Sequence, residues 1–260
     1  MPSLIPGFEY DIFISYRHND NKTLAPKKAD GWVTEFVANL SLELEATVKG
    51  KVNIYFDENP HDGLLETQNV DESLAPKLKS LIFIPIVSQT YCDPESFAWV
   101  HEFLAFNKVT ATDKFGPTVK LLSGNASNRV LPVRIHELDI ADIKILEEEL
   151  KGKLRPIDFI FKSPGVNRPL RANEDDPLKN ANHTLYRDQI NKVANAVKDI
   201  IQALKNFEKP RVEPSKPKTD ISLTQKVKFH PSKRSLFCLL PIWIEKQIRN
   251  TLVKAWLKSY

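Results

Sequence analysis

Two hydrophobic periodicities alternate along the first 208 residues. Short unbroken apolar runs, rich in β-branched and aromatic residues, are each followed by stretches in which apolar positions recur every three or four residues. Runs too short for a helix and flanked by polar residues read as buried strands. On that basis Tyr10–Tyr16, Val52–Phe56, Leu81–Val87, Arg129–Ile135 and Ile157–Phe161 are expected as strands one to five. Trp32, Phe36, Val37, Leu40, Leu44 and Val48 define the core face of a helix, as do Ile190, Val193, Val197, Ile200, Ile201 and Leu204 within 184–207. Shorter helices are expected at Asp71–Leu78, with Asp71 as cap, and at Phe97–Lys108. Strands alternating with helices imply right-handed crossovers and an α/β fold around a five-stranded, mostly parallel sheet. The run Leu81–Val87 is the most apolar and should be central; Pro85 inside it removes one ladder donor and predicts a bulge or a one-sided interruption there.

The opening strand ends in Ser15, Tyr16, Arg17 and His18. A strand that is apolar along its length and polar at its carboxyl end has the form of a ligand site, since open α/β sheets bind at that edge.

Two segments together resemble the TIR (Toll/interleukin-1 receptor) domain, and specifically bacterial TIR proteins. One is Tyr10-Asp11-Ile12-Phe13-Ile14-Ser15-Tyr16-Arg17. The other runs from Ser88 through Tyr91, Ser96 and Trp99 to Glu102, where a serine closes a strand and a Trp and a Glu open the next helix. The likeness spans about residues 1–208, with a longer insertion than usual between Asn107 and Asn128. Trp99 and Glu102 are three residues apart, where the family has four; a one-residue shift turns a side chain by about 100° on a helix. What the resemblance implies is a flavodoxin-like, doubly wound fold of strand order 2-1-3-4-5. It also implies one of two functions: cleavage of the nicotinamide–ribose bond of NAD, often in immune or anti-phage defence, or non-catalytic scaffolding through TIR–TIR association. For the first, Glu102 matches the essential carboxylate, with Glu95 as the alternative. The loop between Asp57 and Val70 matches the family's lid-like partner-contact loop.

The chemistry suits these residue types. Nicotinamide is a cationic leaving group and needs no general acid. An oxocarbenium-like ribosyl transition state benefits from a nearby carboxylate in a low-dielectric cleft. Arg17 is the candidate for the pyrophosphate. Phe13, Tyr16, Tyr91 and Trp99 offer aromatic faces for the rings. Ser15, Asp57 and Ser88 complete the expected substrate-binding set, although both serines could equally cap turns. Cys92 reads as a small buried hydrophobe. His18, His61 and His101 lack ligand spacing, so no metal is expected, and NAD enters as substrate rather than cofactor. A phosphoacceptor receiver domain would need acidic residues where Ser15 and Ser88 stand, which excludes that reading.

Charge adds a second division. The chain of 260 residues carries 37 Lys and Arg against 33 Asp and Glu, but residues 209–260 hold 12 against 3, leaving the preceding body mildly acidic. Residues 209–235 read as a basic, proline-containing linker and 236–260 as a basic amphipathic helix. Such a helix suits docking on another protein or on an anionic membrane surface; nucleic acid is not expected, as no recognised binding fold accompanies the charge. The longest apolar run, Leu236–Ile244, falls far short of the roughly 20 residues that span a bilayer. With only Cys92 and Cys238, a disulfide framework is ruled out, and a cytoplasmic setting is expected.

Overall fold

A computed structural model describes residues 3–23, 30–57, 70–153, 155–172 and 185–208. Expectations for the loop between Asp57 and Val70, apart from its two ends, and for the linker and tail beyond residue 208 lie outside those residues. A five-stranded, all-parallel sheet is built from β1 (Tyr10–Ser15), β2 (Ile54–Tyr55), β3 (Ser80–Val87), β6 (Val133–Arg134) and β7 (Ile157–Asp158), in the order β2-β1-β3-β6-β7. Renumbered by sheet strand alone, this is 2-1-3-4-5, the flavodoxin-like order.

Side-chain alternation along each strand divides the interior into two clusters. Ile12, Ile14, Ile82, Ile84, Ile86, Val133 and Ile135 pack with α1 (Trp32–Thr47) and α5 (Leu185–Glu208) on one face. Phe13, Phe83, Val87 and Val130 pack on the other, with Leu74 of α2 (Val70–Leu74), Phe106 of α3 (Leu104–Thr112) and Leu146 of α4 (Ile140–Leu150). Helices on both faces bury the central strand completely, which explains its unbroken apolar run.

Pro85 produces a one-sided interruption. Toward β1 the register runs from Tyr10 opposite Ser80 to Ser15 opposite Pro85. Toward β6, pairing passes from Phe83 opposite Val130 to Ile86 opposite Val133. Phe83 N donates to Arg129 O at 3.0 Å; Pro85, two residues on, turns its missing donor to that same side.

Two antiparallel hairpins depart from the expected pattern. The insertion after α3 forms β4 (Thr118–Lys120) and β5 (Ala126–Asn128). The expected fifth strand, Ile157–Phe161, splits: its first half enters the sheet, while Ile160–Ser163 becomes β8 and pairs with β9 (Val166–Pro169). Pro164 followed by Gly165 at φ 72° has the form of a type II turn, and this closes the hairpin. The fourth strand likewise shortens to Val133–Arg134 plus the bridge at Val130, because Pro132 interrupts it. The second strand contracts to Ile54–Tyr55, and of the helix expected at Asp71–Leu78 the described residues show Val70–Leu74, ending four residues early.

Candidate functional site

The carboxyl ends of β1, β2 and β3 and the turn opening the next helix supply the polar groups of the site. Residues 98–103 form a wide π-type turn, in which Leu104 N reaches back to Trp99 O, before α3 continues. Such turns insert extra width into a helix and re-aim its side chains. Trp99 and Glu102 both lie on it. Trp99 is 3% exposed, edge-on to Tyr91 at 6.4 Å and packed on Phe103.

Glu102 points back to the first strand. Ser15 Oγ donates to Glu102 Oε2 at 2.5 Å and is itself 2.9 Å from the hydroxyl of Tyr91. Burial raises the Glu102 carboxyl from 4.5 to about 7; the Ser15 hydrogen bond opposes the shift, the negative charge of Asp57 adds to it, and the charge of Lys77 opposes it. Glu95 stands exposed in the preceding loop, its N–H held by Asp93 Oδ1 at 3.0 Å. Of the two acidic candidates, only Glu102 reaches the strand ends.

Around this carboxyl stand Tyr16, Tyr55, Asp57 and Lys77. The Tyr16 hydroxyl donates to the backbone carbonyl of Asp57, and burial, then the charges of Asp57 and Glu102, push that phenol up to about 12. Lys77 Nζ donates to the Tyr55 hydroxyl at 2.8 Å and lies 4.7 Å from that ring's centre. Burial foremost, then Asp57 and Glu102 among its charged neighbours, raises the Tyr55 phenol, while Lys77 opposes this.

Other expected residues sit elsewhere. Phe13 is 1% exposed, between the rings of Phe83 at 5.4 Å and Tyr55 at 5.0 Å, so its faces are used in the core. Ser88 joins a neighbouring cluster: its hydroxyl donates to Asp20 Oδ2 at 2.7 Å and accepts from Tyr91 N at 3.2 Å. Asp20 lies on the 3₁₀ turn His18–Asn21. Burial lifts its carboxyl to about 6 against the Ser88 hydrogen bond and the charge of Arg17. Arg17, half-buried at the head of that turn, thus acts electrostatically on Asp20, and the cation acting on Glu102 is Lys77. Cys92 is buried and its thiol is pushed up to about 12, first by burial and then by Asp142, as expected of an inert residue.

Sequence reasoning missed Lys77, Tyr55 and Asp20. Tyr55 lies one residue before the end of an expected strand, so its position at the sheet edge was readable. Lys77 and Asp20 carry no local signal, being ordinary charged residues beside turns.

Among the described residues no group of three or more His, Cys, Asp or Glu is placed to hold a metal ion, and no helix is long and apolar enough to cross a membrane. No protein-family model and no curated protein matches the chain. Among solved structures, one similar chain is that of the TIR domains of the activated Roq1 resistosome directly recognizing the pathogen effector XopQ. It is 16% identical, with 76% of this chain and 99% of that chain covered and a TM-score of 0.29. A superposition that loose bears no functional weight.

Proposed function

We propose that this protein is a TIR-type enzyme that cleaves the nicotinamide–ribose bond of NAD, releasing nicotinamide and linear or cyclic ADP-ribose. The single observation carrying this reading is the hydrogen bond between Ser15 and Glu102, which joins the two motif segments at the carboxyl edge of a parallel sheet. Glu102 stabilises positive charge developing at the ribose as nicotinamide departs with the bonding electron pair. Water then adds to the ribosyl carbon and loses its proton to solvent; cyclisation replaces water by a nitrogen of the adenine. Lys77, whose charge acts on Glu102, and Arg17, just after β1, offer cations for the pyrophosphate, and the Tyr16 and Tyr55 hydroxyls stand at the same strand ends. Self-assembly as the activating step and a role in anti-phage defence belong to the same proposal.

Incubating the purified chain with NAD, at high protein concentration or with a crowding agent, tests it. Nicotinamide release that vanishes in Glu102→Ala supports the reading, and release no greater than that of the variant overturns it.

A second reading, a non-catalytic scaffold, draws on Phe97 and Val100, which are 45% and 39% exposed next to each other at the start of the same helix. It requires concentration-dependent oligomers that Glu102→Ala leaves intact, with no NAD turnover. Light scattering that finds monomers at every concentration removes it.

A further inference from the structure

The hydroxyls of Tyr91 and Ser15 form a chain whose direction follows from chemistry. An ionised carboxylate only accepts hydrogen bonds. Ser15 has one hydroxyl proton, and it is committed to Glu102 Oε2. Ser15 Oγ must therefore accept from the Tyr91 hydroxyl 2.9 Å away. Tyr91 is 0% exposed, so its O–H has no water to turn to. Burial first, and then the charge of Glu102, holds the Tyr91 phenol well above its usual range, which keeps it a donor. Its ring is fixed by the edge contact with Trp99, and its backbone N–H is held by Ser88 Oγ at 3.2 Å. A protonated Glu102 would reverse the chain, donating to Ser15 and turning the serine proton toward Tyr91.

We infer that Ser15 and Tyr91 are positioning residues for Glu102, a one-way pair of donors that clamps its Oε2 at the end of β1 and favours the anionic form. As a contribution to catalysis this rests on the NAD-cleavage reading above; as a statement about the protonation of Glu102 it stands without it. Among the described residues Glu102 Oε1 has no hydrogen-bond donor, so the clamp leaves one carboxylate oxygen for the reacting centre.

Among the described residues, the charged and titratable groups facing Glu102 are Tyr16 of the first strand's end, Tyr55 and Asp57 of the second, Lys77 after α2 and Tyr91 after β3. Asp57 works against ionisation and Lys77 for it. All of these except Tyr91, which Tyr91→Phe alters, are common to every variant below, so they set the starting point and not the change.

The experiment is an NMR titration of the full chain carrying carboxyl-labelled glutamate, with Glu102→Gln used to assign the signal. Ser15→Ala should raise the Glu102 midpoint by about one to two units, the value of a hydrogen bond to a charged acceptor. Tyr91→Phe should raise it less, in the same direction, because it weakens the donor without removing it. Ser15→Thr, which restores a hydroxyl, should return the midpoint toward wild type. A folded Ser15→Ala variant with an unmoved midpoint overturns the inference. Should that variant not fold, an unmoved midpoint in Tyr91→Phe overturns it equally. The titration uses no NAD, so a shifted midpoint in a protein that releases no nicotinamide would end the enzymatic reading and leave the clamp standing. In an active enzyme, the acidic limb of the rate profile moves with the midpoint, which a merely structural serine would not cause.

Discussion

Ser15 and Glu102 stand 87 residues apart in the chain and 2.5 Å apart in the fold, with the serine hydroxyl donating to a half-buried carboxylate. The contact exists because β1 lies beside β3 in parallel register, Ser15 opposite Pro85, so that the helix following β3 starts above the end of β1.

Glu102 should show this environment in both stability and rate. Unfolded, its carboxyl titrates near 4.5; folded, it titrates near 7. Between those values the native state holds a proton that the unfolded state has released, so stability is greatest at the low end and declines as pH rises through the window. A shift of this size corresponds to at most roughly 3 kcal/mol. Asp20 acts in the same sense between 3.8 and about 6. Thermal denaturation across this range should show a shallower decline in Glu102→Gln than in wild type, and identical slopes would contradict the assigned burial. In the NAD assay the same variant should lose on the order of 10²–10³-fold in rate, the size of one preorganised electrostatic contact. Wild-type activity should rise with pH around 7 as the carboxyl ionises.

Ser88→Ala should loosen the edge next to the site. The substitution strips Asp20 of its hydroxyl donor and Tyr91 N of a side-chain acceptor. Leaving a half-buried carboxylate without that donor costs about 1–3 kcal/mol. Chemical denaturation should report this loss, together with a further rise in the Asp20 midpoint, since the Ser88 hydrogen bond lowers it.

Gly31 is required by space and not by its backbone angle, which is an ordinary φ of −62°. A Cβ there would lie 2.0 Å from Asn21 O and 2.1 Å from Asn21 Oδ1. That same Oδ1 caps α1 by accepting from Val33 N at 2.9 Å and Thr34 N at 3.1 Å. Gly31→Ala therefore displaces the cap together with the turn His18–Asn21 that follows Arg17. A loss of about 1–2 kcal/mol from the cap alone is expected, measurable as a lower midpoint in urea, and Asn21→Ala should cost a similar amount.

Arg129 anchors the inserted hairpin to the sheet. Wholly buried, it donates to Leu81 O at 2.8 Å, Ser80 O at 3.0 Å and Gly116 O at 3.1 Å, and pairs with Asp113. Arg129→Met removes the cation and leaves Asp113 Oδ2 and three backbone carbonyls without their donor, while Asp113 Oδ1 keeps the N–H groups of Phe115 and Gly116. Breaking one side of a buried pair costs roughly 3–5 kcal/mol. Arg129→Met combined with Asp113→Asn, which removes the charge and keeps an oxygen for Phe115 N and Gly116 N, should recover part of it, and a double variant no more stable than the single would contradict the pairing.

Elements with a single strong period were legible from the chain. The first and central strands and the helices of 32–47 and 185–208 fall within one or two residues of expectation, because each buries a continuous apolar face. The hairpins were not legible. Thr118–Lys120 and Ala126–Asn128 carry little hydrophobic signal, and the residue that follows them, Arg129, binds across to the central strand from a position that no local pattern marks. Glu102 and Ser15 could be named from motif residues, whereas Lys77 and Asp20 could not, since a surface-type charge beside a turn looks the same in sequence whether or not a carboxylate waits nearby.

The order of residues by itself determined the α/β alternation, the central strand and the polar groups at the first strand's end, because hydrophobic period follows directly from backbone geometry. Only the tertiary structure set Glu102, and not Glu95, against Ser15 at the sheet edge, placed Phe13 and Trp99 in the core, and coupled Arg17 to Asp20 while giving Glu102 the charge of Lys77. Those outcomes depend on distances between segments far apart in the chain, and on the burial those distances create, neither of which a local pattern encodes.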